Sequence, residues 1–178
     1  KLQHQKIWLL GERGIDAMDS GFAFFAFLKQ QKLDFPIYFL IARNSPHYNK
    51  VAAIDKNAIV EPHSKKHKLL QVFSEAVIST QGGDFCFAIE HSFLKKYFSE
   101  LYQARFIFLQ HGILKDKISY FTKGEFCHDV FVVSGKMEER LMSENYFYTK
   151  YDVVNSGLAR FDVLQNNPQK TILFMSTW

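Results

Sequence analysis

A chain of 178 residues is the size of a single domain, and its 47% apolar content is enough to build a core. Its 9 glycines and 4 prolines exclude collagen-like and low-complexity chains, and its 2 cysteines exclude a disulfide scaffold. A net charge of +4 leans toward anionic partners, but no Lys/Arg block marks a nucleic-acid arm.

In chain order, short apolar runs alternate with turns and helix-like segments. Lys6–Leu10 (KIWLL) is the first run, closed by Gly11-Glu12-Arg13-Gly14. Asp19-Ser20 then offers a cap for a helix over Gly21–Lys32, dense in Phe22, Phe24, Phe25 and Phe27. Such a density covers more than one helix face, so it packs the core or docks against a partner domain or membrane surface. The longest apolar run near the N-terminus, Gly21 to Leu28, is far short of the ~20 residues of a membrane span. With no secretory leader in evidence at sequence level, a reducing cytosolic setting is expected.

Pro36–Ile41 is the second run, and Ala58–Val60 a weak third. Ser64–Phe73 reads as a helix whose start carries Lys65-Lys66-His67-Lys68, read as a solvated cationic face. Ala76–Ser79 follows, then a helix over Ser92–Tyr102, then Arg105–Leu109. Asp129–Val133 precedes a helix over Gly135–Asn145, with Ser134 as cap and Met137, Leu141 and Met142 on one stripe. Tyr151–Asn155, a short turn at Arg160–Gln165, and Thr171–Met175 complete the series.

The runs are continuously apolar, the mark of strands covered on both faces. Alternation with helices predicts a Rossmann-like α/β domain, its sheet mainly parallel and its right-handed crossovers placing helices on both faces. In such sheets ligands bind outside the carboxyl ends of the strands. The residues there are polar: Gly11–Gly14, Arg43-Asn44-Ser45, Thr80-Gln81-Gly82-Gly83, Gln110-His111-Gly112, Ser134-Gly135 and Ser156-Gly157. Tight turns of any α/β protein use the same residue types.

His111 is the leading candidate, a side chain suited to taking a proton near neutrality, followed by Gly112 that would admit a close approach. A surface-loop histidine is the plain alternative. Gly11–Gly14 is neither GxGxxG nor a Walker loop, and Glu12 would repel phosphate unless Arg13 offsets it. Asp16 and Asp19 would orient a hydroxyl-bearing ligand, or Asp19 would cap the next helix. Arg160 and Asp162 do not share a helix face, which leaves Arg160 to bind an anion or bridge two segments. Cys86, Cys127 and His128 do not complete a zinc site, so no metal is expected.

Four blocks read together. They are Trp8–Gly14 with Asp19 to Phe25; Phe108-Leu109-Gln110-His111-Gly112-Ile113 with Lys115-Asp116; Gly157-Leu158-Ala159-Arg160-Phe161-Asp162; and Ile172–Trp178. The chain thereby resembles the CDP-glycerol glycerophosphotransferase family, the teichoic-acid primases and polymerases and their capsule-building relatives. Ser20 stands where that family often has Asn, and Ala159 and Ser176 stand where it has proline.

The resemblance implies a two-domain enzyme of the GT-B arrangement, with residues 1–170 as the acceptor-side domain and 171–178 opening the donor-binding one. It implies transfer of glycerol phosphate, or a related polyol phosphate, from a CDP carrier to an acceptor hydroxyl. His111 would be the general base, Gln110 and Gly112 would shape its loop, and Glu12 and Asp19 would face the acceptor. The expected partners are a nucleotide-activated donor and a polyol-phosphate or glycan polymer acceptor. The inner membrane surface is an optional third, with no nucleic acid and no cofactor beyond the CDP-polyol. On this reading the 178-residue chain folds but does not catalyse alone. The rival readings are the acceptor half of a nucleotide-sugar glycosyltransferase and a non-catalytic polymer- or partner-binding module.

Overall fold

A computed structural model describes residues 6–82, 85–114, 117–125, 128–165, 172 and 174. Seven strands form one parallel sheet in the order β3-β2-β1-β4-β5-β6-β7. They are β1 (Trp8–Gly11), β2 (Ile37–Leu40), β3 (Ile59–Val60), β4 (Ala76–Ser79), β5 (Arg105–Phe108), β6 (Val130–Val133) and β7 (Val153–Asn155). β1 sits between β2 and β4, with Leu9 opposite Tyr38 on one side and Val77 on the other. The chain walks outward from β1 to β3, returns to place β4 beside β1, and walks out the other way. The order therefore reverses between β1 and β4, the position where α/β sheets open a ligand crevice. The expected fold class is the observed one. The run Thr171–Met175 lies for the most part outside the described residues.

Alternate residues of each strand enter two cores. Leu9, Val77, Phe106, Phe108, Phe131 and Val133 face one; Leu10, Phe39, Ile78 and Val132 face the other. The first core is closed by α3 (Lys65–Phe73), α4 (His91–Tyr97) and α5 (Lys136–Tyr146), the second by α1 (Ser20–Gln30) and α2 (Tyr48–Asp55). Right-handed crossovers dictate this split, because reversing the direction of travel moves the helices to the other face. The same rule leaves the α1-side face of β5, β6 and β7 open. An apolar groove of about 670 Å³ runs there between Phe24 and Phe27 of α1 and Ile107, Val132 and Val154.

Several helix expectations need correction. α2 was not anticipated: Val51 is its one buried residue, and no side chain caps it, so it carries neither stripe nor signal. The helix expected over Ser92–Tyr102 ends at Tyr97, because Tyr102 leaves it to enter the core and meet His91. Of its apparent stripe only Leu94 is buried; Phe93 packs at a tilt against both Tyr97 and Phe98 at the surface. Ser134 does not cap α5. Its N–H and hydroxyl both donate to Glu138, and Gly135 holds the cap position. Met137 is 90% exposed, so the stripe of α5 is Met142 and Tyr146 with Leu141 beside them.

The cationic start of α3 is not wholly solvated. Ser64 caps it by accepting from the His67 N–H, and the His67 ring turns inward between the His63 N–H and the Cys86 carbonyl. Burial pushes that imidazole down to about 4, with the Cys86 carbonyl pulling the other way. Cys86 is buried, and Cys127 lies outside the described residues. Among the described residues no helix is long and apolar enough to cross a membrane.

Candidate active site

β1 delivers Glu12 to the carboxyl edge, where the chain must turn into α1. Glu12 is 2% exposed and gathers the main chain of that turn. Its Oε1 accepts from the Asp19 and Phe22 N–H groups at 2.9 Å each, and its Oε2 from the Met18 N–H at 3.0 Å. Burial pushes its carboxyl above the ordinary value, against the downward pull of these three bonds. Gly21 makes the approach possible, since a Cβ there would lie 2.9 Å from Glu12 Cγ and 3.0 Å from the Gly11 carbonyl. Asp19 is the N-cap of α1, accepting from the Ser20 N–H at 2.7 Å. Glu12 thus spends its oxygens inside the fold rather than offering them to an acceptor.

β5 delivers His111. The strand stays in the ladder through Leu109, whose N–H donates to the Ser79 carbonyl at 2.8 Å. Gln110 then adopts a left-handed conformation (φ 60°) and turns His111 outward. The His111 ring Nδ1 lies 3.0 Å from the Thr80 main-chain carbonyl. A carbonyl oxygen only accepts, so Nδ1 carries a proton, and in the neutral ring the lone pair is on Nε2. That is the tautomer a general base requires.

Arg160 joins the two deliveries. Its Nη1 donates to the His111 carbonyl at 2.8 Å and to Asp19 Oδ1 at 3.1 Å, and its N–H to Ser20 Oγ at 3.4 Å. Of the two expectations for Arg160, the structure shows the bridge. A cavity of about 320 Å³ opens among Glu12, Arg13, Asp16, Asp19, Thr80, His111 and Arg160. It sits at the reversal between β1 and β4.

The structure therefore brings Glu12, Asp19, His111 and Arg160 together. Gln110 is buried behind them, its Oε1 accepting from the His111 N–H at 3.2 Å. Asp162 does not join: it lines the apolar groove. A Cβ at Gly112 would meet nothing within 4 Å, so among the described residues no backbone makes the close approach expected there. The strained turn falls at Gln110 instead. Two groups were not anticipated in their roles. The Thr80 carbonyl leaves no side-chain signature, and Ser20, read only as a departure and a possible cap, receives Arg160.

The apolar groove is the larger cavity, but among the described residues no histidine lines it, and Glu12, Asp19, His111 and Arg160 converge on the smaller one. A second histidine constellation lies at the opposite edge, by the amino ends of β5 and β6. His91 Nδ1 meets the Tyr102 hydroxyl at 2.6 Å, and His91 Nε2 lies 3.6 Å from Asp129. Asp129 also accepts from the Phe106 N–H at 2.7 Å and from Lys95 at 3.2 Å. Burial pushes its carboxyl up, but the bonds from His91 and Phe106 and the Lys95 charge prevail and hold it at about 2. His128 packs on Phe106 and Phe108, and burial pushes it down to about 3. Among the described residues no group of three or more His, Cys, Asp or Glu is placed to hold a metal ion.

Fold and site define an α/β, Rossmann-like domain with a histidine in a polar cavity at the switch point of its sheet, and its relatives include a teichoic-acid biosynthesis protein. The chain is homologous to part of that protein. It is 30% identical over 175 residues to the minor teichoic acid biosynthesis protein GgaB of Bacillus subtilis (strain 168), an alignment taking in 97% of this chain and 19% of GgaB. The chain thus spans about a fifth of the length of that relative. A solved structure of the wall teichoic acid polymerase TagF, in a histidine-substituted form, shares the fold with a TM-score of 0.55. That match is 10% identical and covers 89% of this chain and 40% of the TagF chain. No family model matches the chain. The match to part of GgaB is in keeping with the resemblance to the CDP-glycerol glycerophosphotransferase family, and the likeness to TagF shows the fold.

Proposed function

We propose that this chain is the acceptor-side domain of a polyol-phosphate transferase, with residues 1–170 forming the domain and 171–178 opening the donor-binding half. The substrate pair is a CDP-polyol, CDP-glycerol foremost, and the hydroxyl end of a polyol-phosphate or glycan polymer. The observation that carries this reading is the His111 ring, fixed by the Thr80 carbonyl so that Nε2 is the basic nitrogen beside a polar cavity.

The chemistry follows from that nitrogen. A primary hydroxyl is a weak nucleophile at neutral pH. As its oxygen attacks the polyol-side phosphorus, its proton passes to His111 Nε2. The P–O bond to the nucleotide breaks and CMP leaves with the electron pair. A positioned imidazole contributes about 100- to 10,000-fold to such a step. Arg160, holding the His111 carbonyl and Asp19 at once, keeps the ring's loop fixed against α1 while the proton moves. Alignment of donor and acceptor supplies much of the remainder, and this half alone offers only the acceptor wall. The domain is expected to fold yet release no CMP on its own. The setting we propose is the cytoplasm, at the membrane's cytoplasmic face, in keeping with the net charge of +4.

The test is a CMP-release assay on the whole protein that contains this domain. Release with CDP-glycerol or another CDP-polyol, and none with nucleotide sugars, supports the reading. Activity with nucleotide sugars alone assigns the fold to a glycosyltransferase, and full turnover in a folded His111→Ala variant removes the base.

A further inference from the structure

Most α/β nucleotide sites use the first helix N-terminus to hold phosphate. Here that position is taken. The N–H groups of Met18, Asp19 and Phe22 are bound by Glu12, and that of Ser20 by Asp19. Two carboxylates therefore stand where a phosphate would need free donors and positive charge. The floor of the cavity disfavours an anion.

What the cavity leaves unspent is of another kind. Asp16 makes no hydrogen bond among the described residues, and its Oδ1 lies 4.0 Å from His47 Nδ1. Thr80 is fully buried in the cavity wall, and its hydroxyl has no partner among the described residues. An enclosed hydroxyl without a partner is a cost that a ligand's own hydroxyl offsets. His111 Nε2 is a third acceptor. At the mouth Arg13 is exposed and forms no ion pair among the described residues. Two hydrogen-bond acceptors and a hydroxyl in a cavity of about 320 Å³, at the small end for ligand sites, suit one polyol unit rather than a nucleotide.

Resting on the transferase reading above, we infer that Asp16 and Thr80 read the acceptor, and that what they read is a terminal vicinal diol. The reacting hydroxyl lies between His111 Nε2 and the Thr80 hydroxyl. Its neighbour donates to Asp16. The phosphodiester that precedes the terminal unit stays outside, at Arg13. Asp16 is thus a specificity-determining residue, while Glu12 and Asp19 only hold the wall in which it stands.

The experiment is an NMR titration of this chain with a glycerol-phosphate trimer ending in a free diol, beside the same trimer with that diol closed as its isopropylidene ketal. The free trimer should bind about tenfold or more tightly than the ketal. Asp16→Asn should abolish that preference, Thr80→Val should reduce it several-fold, and Arg13→Gln should weaken both trimers alike. Equal binding of the two trimers, no binding of either, or a preference that survives Asp16→Asn overturns the inference. So does inorganic phosphate displacing the free trimer from the cavity resonances. His111→Gln separates this from the transferase reading. If the variant keeps the diol preference but the whole protein keeps full turnover, the base assignment fails and the diol site stands. If turnover falls while wild type shows no diol preference, the diol site fails and the base stands.

Discussion

Two constellations of histidine and aspartate sit at opposite edges of one sheet. By distance alone, the one at the amino ends of β5 and β6 looks more like catalytic machinery, with Tyr102, His91 and Asp129 in a chain. Yet its groups answer one another. Asp129 is held by His91, Phe106 and Lys95, and the histidines are enclosed by aromatic rings. At the carboxyl edge most of the bonds of Glu12 and His111 involve main-chain atoms, Arg160 pairs with Asp19, and side-chain capacity is left over in Asp16, Thr80 and His111. Groups that satisfy one another, as His91 and Asp129 do, fit a structural role; capacity left facing a cavity is what a ligand site requires.

Acid should strike the enclosed type first and hardest. His67 and His128 stay neutral in the fold down to about 4 and about 3, whereas in the unfolded chain they protonate near 6.5. Below 6.5 the unfolded state binds more protons, so their contribution is complete above that pH and drains away as pH falls toward 4. Together they should cost about 4 kcal/mol by pH 5. Asp129, held at about 2, adds its loss only below its unfolded value near 3.8. Urea unfolding at pH 7 and pH 5 measures the difference, and an unchanged midpoint would mean that these rings are not enclosed.

His111→Ala comes next. In the whole protein it should lower turnover about 100-fold or more, equivalent to about 3 kcal/mol of barrier, with an unchanged melting curve. Asp129→Ala should do the reverse. It leaves the Phe106 N–H and Lys95 without their acceptor and should cost about 2 kcal/mol of stability, with turnover per folded molecule unchanged. A loss of turnover beyond the loss of folded protein would unite the two clusters functionally. Gly112→Ala is the smallest: the added methyl meets nothing, so stability should stay within about 0.5 kcal/mol in chemical denaturation. A larger loss would show that the loop packs more tightly than its geometry indicates.

Legibility followed the atoms that carry the signal. The strands were readable because burial on both faces leaves unbroken apolar runs, as in Ala76–Ser79. α2 was not, because Val51 alone anchors it. His67 was misread with its lysine neighbours because charge composition does not reveal which way a ring turns. In the site, His111 was legible from its place between a strand and a glycine. Its partner was not, since the Thr80 contact is a main-chain carbonyl available to any residue type. How Glu12 shapes its loop was not legible either, because the N–H groups it collects are equally silent in sequence.

The Arg160 bridge has a consequence for how the site comes into being. Its two ends, Asp19 and Arg160, are 141 positions apart. At synthesis rates of roughly 5–20 residues per second, Arg160 is made about 7–28 s after its partner. Until Arg160 is made, the His111 loop has no clamp to Asp19. The residues of the cavity wall around Glu12 and Asp19 are made before Arg160, and the His111 loop is secured against them only when Arg160 arrives.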